Sequence, residues 1–101
     1  MGLVMSDRLT RINLRGRIWH LEFVDRLESG AYGECDDPSR PKKRIRIAMN
    51  QSSADMMDTL LHELIHACLP DMSEEATLET ANDISNVLRR LKARVEVAQD
   101  D

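Results

Sequence analysis

The chain has 101 residues, 42% of them hydrophobic, which is enough for one modest core and leaves no material for a second domain. With a single Trp, Tyr and Phe, that core must be filled by Leu, Ile, Val, Met and Ala. A net charge of −4 argues against nucleic acid as the main partner, because phosphate binding goes with a basic domain, and no apolar run nears the roughly 18 residues of a membrane span.

Met1 to Thr10 lacks the apolar centre of a signal peptide, so the expected compartment is the cytoplasm. Cys35 and Cys68 make neither a disulfide framework nor a Cys-x-x-Cys pair, and both read as free thiols. Charge is uneven along the chain. The half before Gln51 is mildly basic, and the half after it is clearly acidic.

In chain order, a short strand is expected from Leu9 to Leu14. A clearer one follows in Ile18–Val24, where Trp19, Leu21 and Phe23 alternate with His20 and Glu22. Gly30, Gly33 and Asp36-Asp37-Pro38 are turn signals. Next comes the densest basic run, Arg40 to Arg46, which reads first as a solvated loop and charged strand, and second as a patch for an acidic partner. In Arg44–Met49 alternation returns, with Ile45, Ile47 and Met49 on one face. These strands are expected to form a small antiparallel sheet, and Arg44–Met49 is the candidate edge for a bound peptide.

Ser52 with Asp55 three residues on opens a helix that Pro70 stops near Leu69. A second helix is expected from Asp71 or Ser73 to about Val95, with an inward stripe of Thr77, Ala81, Ile84, Leu88, Leu91 and Val95. The tail from Ala98 reads as frayed. The fold class is therefore α+β, a small antiparallel sheet packed against two helices.

The first helix carries His62-Glu63-Leu64-Ile65-His66. Imidazoles four apart lie on one helical face, one turn from each other, so two ring nitrogens can reach one Zn²⁺. Glu63 sits about 100° round the helix, beside a metal but poorly placed to share it, which suits a general base for a zinc-activated water. The opposite face, Met57, Leu60, Leu61, Leu64 and Cys68, is expected in the core.

A catalytic zinc takes three protein ligands. Glu74, Glu75 and Glu79 on the second helix are candidates, with Glu74 favoured because it borders the inward stripe. His20 and Tyr32 are the side chains that could help polarise a substrate carbonyl.

The run Asp58-Thr59-Leu60-Leu61-His62-Glu63-Leu64-Ile65-His66-Ala67, followed by Ser73-Glu74-Glu75, resembles small phage- and prophage-encoded zincin-like metallopeptidases. More distantly it is similar to the ImmA/IrrE and SprT-like groups, the best stretch being Arg44 to Leu91. The resemblance implies His62 and His66 as zinc ligands, Glu63 as catalytic base and a further ligand from the next helix, with the metal between the helices. Thr77 and Thr80 stand where the ImmA/IrrE pattern has Ala and Phe, and no His follows His66 to match the third His of SprT-like proteins. The expected activity is zinc-dependent hydrolysis of peptide bonds in a protein substrate. The alternative is a non-enzymatic, zinc-stabilised module that binds protein or nucleic acid.

Overall fold

The computed structural model describes residues 2–5 and 8–97, the first four by backbone alone; the expected frayed tail from Ala98 lies outside the described residues. Strands β1 (Gly2–Met5), β2 (Leu9–Leu14), β3 (Arg17–Val24), β4 (Gly33–Cys35) and β5 (Arg44–Ala48) precede helices α1 (Ser53–Cys68) and α2 (Glu74–Arg90), and β6 (Arg94–Val97) follows them. The class is α+β. A four-stranded sheet has the order β2-β3-β5-β4, and β1 pairs with β6 in a separate ribbon.

The sheet is mixed, not wholly antiparallel. β2 and β3 form a hairpin on the two-residue turn Arg15-Gly16, both at positive φ, but β3 and β5 run parallel. The connection between β3 and β5 is long enough to carry the chain back for parallel pairing. Its middle, expected to be turn, folds against the outside of β5 as β4. β5 is therefore an interior strand, and the edge next to the helices is β4.

Period-two alternation gives the sheet one apolar face. Trp19, Leu21, Phe23, Ile45 and Ile47 are buried there against Met56, Met57 and Leu60 of α1. The other face is polar, with Arg44 paired to Glu22 at 3.0 Å and Arg46 to Asp36 at 3.3 Å. Two cations of the basic run thus already have carboxylate partners within the sheet.

α1 begins where Ser52 accepts the Asp55 N–H at 3.1 Å, and closes at Leu69, whose N–H reaches Ile65 O. Arg15 adds a hydrogen bond to Cys68 O at 2.9 Å, satisfying a carbonyl that the helix end leaves free. Its buried residues are Met56, Met57, Leu60, Glu63 and Ala67, while Leu61 and Leu64 pack on the core partly buried. The buried face thus includes Glu63, which is expected beside a metal and not among the core residues.

α2 starts at the Ser73 cap and lies on α1 through Thr77, Ala81 and Ser85, all buried. These small side chains set the facing, so Ile84 and Leu91, expected inward, are exposed. The helix also stops short of Val95. Lys92 takes φ 61, its N–H bonds Arg89 O and the Ala93 N–H bonds Leu88 O, which is the double closure of a Schellman end. Val95 is buried, but on β6, where its carbonyl accepts from Ser53 Oγ at 2.9 Å.

β4 approaches α1 closely enough to exclude any side chain at Gly33. A Cβ there would lie 2.6 Å from Thr59 Cγ2 and 2.9 Å from Glu63 Cγ. Gly33→Ala should cost about 1–3 kcal/mol in urea unfolding, as overpacking does. Thr59→Ser, which removes the nearer methyl, should recover part of that loss in the double variant; a neutral Gly33→Ala would show that the contact is loose.

Candidate metal centre

Three features of local structure converge at the junction of α1, α2 and β4. The four-residue spacing on α1 stacks His62 and His66, with ring centroids 4.6 Å apart and planes at 72°, and brings their Nε2 atoms to 3.0 Å. The tight turn through Pro70 returns the chain so that the first turn of α2 faces them. Glu74 then sets Oε1 2.8 Å from His62 Nε2 and Oε2 3.0 Å from His66 Nε2.

Two ring nitrogens and two carboxylate oxygens therefore point at one small volume. Neutral imidazoles whose Nε2 lone pairs faced this carboxylate would be repelled by it, so each contact needs a proton or a cation. Two Nε2 protons would crowd each other across 3.0 Å. A single divalent cation would satisfy every atom at once, and nitrogen with carboxylate oxygen is a donor set that suits zinc. The residues present fit such an ion.

The other acids of α2 do not join them. Glu75 and Glu79 are exposed and line neither depression at the site. His20 alternates with the buried Trp19 and Leu21 and so lies on the polar face of the sheet, away from α1. Tyr32, just before β4, does line a small depression beside His62 and Glu63.

Glu63 is 7% exposed, wedged between α1 and Gly33, and its ligand atom belongs with those of His62 and His66 in one group within 4.8 Å. Burial pushes its carboxyl up from the usual value, the His66 charge pulls it down, and Glu74 and Glu34 raise it again. A half-buried Cys35 lines the same cleft. Its thiol is pushed up to about 12 by burial, with Glu63, Asp36 and Cys68 adding to the shift, and Sγ donates to Asp36 O at 3.4 Å. In the absence of metal it is a neutral thiol.

The cleft around these groups measures about 720 Å³ and runs from Gly33 and Cys35 to Pro70 and Glu74. A second depression of about 250 Å³ opens on the other side of His62 and Glu63, between Tyr32 and Leu78. Sequence reasoning missed the role of β4, because a three-residue strand containing Gly has no detectable period. One signal was Gly33 itself, a position with ordinary φ whose value lies in having no side chain.

Fold and site together define an α+β domain with a His–His–carboxylate cluster and a buried Glu beside it. No family model, no curated protein and no solved structure matches the chain.

The buried Glu63 carries a sign that can be checked. Because its folded pKa is raised, its contribution is most favourable below the ordinary carboxylate range, and stability is lost as pH rises through the folded value. In EDTA, Glu63→Gln should raise Tm at pH 7, with the gain vanishing below about pH 4. A gain that persists at low pH would mean that packing, not charge, separates the variants. Separately, Cys35, whose thiol is pushed up to about 12, should resist alkylation in the folded protein at pH 8; fast labelling of Cys35 by mass mapping would contradict that environment.

Proposed function

We propose that this chain is a zinc-dependent peptidase. The observation that carries the reading is the meeting of His62, His66 and Glu74 around one point, with the buried carboxylate of Glu63 next to it. A structural metal site has no need of that fourth group, whose burial is costly.

Zinc bound by His62, His66 and Glu74 would supply a Lewis acid and an acidified water. The chain's own residues supply the rest. Glu63, its carboxyl raised by burial, is matched to taking a proton from the attacking water and handing it to the leaving amine.

The edge strand offers the means of holding an extended substrate. Asp36 N–H bonds Arg44 O and Ala48 N–H bonds Tyr32 O, so in the alternating antiparallel pattern Glu34 also faces β5. The N–H and C=O groups of Gly33 and Cys35 point outward, over the cleft, and a peptide can add there as a further strand. Of the two side chains considered for polarising the carbonyl, Tyr32 lines the smaller depression beside His62 and Glu63, and His20 lines neither space.

Zinc titration should give one ion per chain, and His62→Ala or His66→Ala should each abolish tight binding, with Glu74→Ala weakening it far more than Glu75→Ala or Glu79→Ala. Glu63→Gln should keep the metal while hydrolysis of a responsive peptide falls by about 10²–10⁴-fold. Full zinc stoichiometry in both His variants would remove the site. Zinc binding without cleavage across a diverse peptide library would leave the metal-stabilised interaction module as the function.

A further inference from the structure

The side of α2 that turns away from α1 carries apolar surface in a helical pattern. Ile84, Val87 and Leu91 are 41%, 57% and 66% exposed. On an ideal helix these three and Thr80 fall within about 60° of one another. In heptad terms Ile84 and Leu91 hold one seam position, and Thr80 and Val87 hold the other. α1 leaves this seam uncovered, because it packs about 90° round the helix on Thr77, Ala81 and Ser85.

One edge of the seam, the edge away from α1, carries Asp83 and Arg90. Both are exposed, and neither joins an ion pair among the described residues. They stand two turns apart on the same helix, about 10 Å along its axis, so they do not satisfy each other.

We propose that this seam is where two copies of the chain pair, α2 against α2, antiparallel about a two-fold axis. The inference stands independently of the peptidase reading. Antiparallel helices related by such an axis present the same edge to each other in reverse order. With the axis midway between Ile84 and Val87, Ile84 packs on Val87 of the second copy, and Leu91 packs on its Thr80. Asp83 of each copy then meets Arg90 of the other, and two ion pairs close the edge.

The charges select this occupant and this direction. A partner helix with acid at both positions would satisfy Arg90 and repel Asp83, and one with base at both would do the reverse. This chain carries one of each, in the order that its own reversed copy needs. A parallel pair would turn Asp83 and Arg90 towards the edge of Ala81 and Leu88, which carries no opposite charge and lies against α1. Glu74 stays with His62 and His66 on the α1 side of α2, so the metal centre of each copy remains open in the pair. Three apolar side chains and one Thr from each copy make a small interface, and the association is reversible.

The test is sedimentation velocity from about 1 µM to about 1 mM chain, the span in which weak contacts associate, in EDTA and again with equimolar zinc. Wild type should show the same monomer–dimer equilibrium in both. Val87→Lys, which buries an unpaired charge in the seam, should weaken it by about 10-fold or more. Asp83→Arg and Arg90→Glu should each weaken it by about 3–10-fold at low salt, and an equal mixture of the two should regain it as a mixed dimer. All three positions are exposed, so thermal melts of dilute protein should match wild type; Leu91→Lys gives the same reading if Val87→Lys melts early. A wild type that stays monomeric throughout, or pairs only with zinc, would overturn the proposal. So would a dimer indifferent to the seam variants, which lies elsewhere on the surface, or a mixture that pairs no better than its components, which denies the antiparallel register.

Discussion

Between β4 and α1 there is no room for a side chain, and much of the molecule follows from that closeness. With Gly33 against Thr59 and Glu63, the edge of the sheet comes down onto the helix beside its two imidazoles. A bulkier residue would hold strand and helix apart, and water would reach Glu63 from both sides. The contact also makes the outward-facing amides of β4 border the cleft, so the surface that could hold a peptide and the groups that could cut it are fixed by one approach distance.

The same closeness sets a tension between stability and chemistry. Glu63 takes a position on α1 that a Leu would fill at less cost, in the company of Met56, Met57, Leu60 and Ala67. Its neighbours Glu74 and Glu34 raise the cost further, and the charge on His66 offsets part of it. A cation at the histidines would relieve the rest, since positive charge beside a buried carboxylate favours its ionised form. Metal binding would then be coupled to tolerance of the buried acid, and the folded protein would gain from such an ion by mass action as well.

Sequence legibility followed the range of the interactions involved. α1 was readable to within a residue because Ser52 and Pro70 are local signals, whereas the start of α2 was open between Asp71 and Ser73 until the Ser73 cap settled it. The side of α2 that carries Glu74 could be read from its place beside Thr77 and Ala81. The end of α2 could not. Lys92 occupies the left-handed position where Gly would have announced a stop, and the alternation in Arg94–Val97 is too short to stand out without β1, its partner from the other end of the chain. Inward facing of Ser85 in place of Ile84 was hidden for a different reason. Close helix contact selects small residues there, and a hydrophobicity pattern ranks them low. Parallel pairing of β3 with β5, and β4 with it, depends on how a long connection folds back, which no local period encodes.

That connection gives the strand bordering the cleft an unusual freedom. β4 is three residues long and, among the described residues, pairs in the sheet with β5 only, with turns on both sides of it. The strands that carry the apolar core, β3 and β5, are joined to each other directly and do not depend on what lies outside them. Insertions before Tyr32 or after Asp37 would lengthen the walls of the cleft while leaving the core register untouched, as surface loops commonly allow. In a chain this small, the shape of the cleft can thus change in a segment whose redesign leaves the scaffold intact.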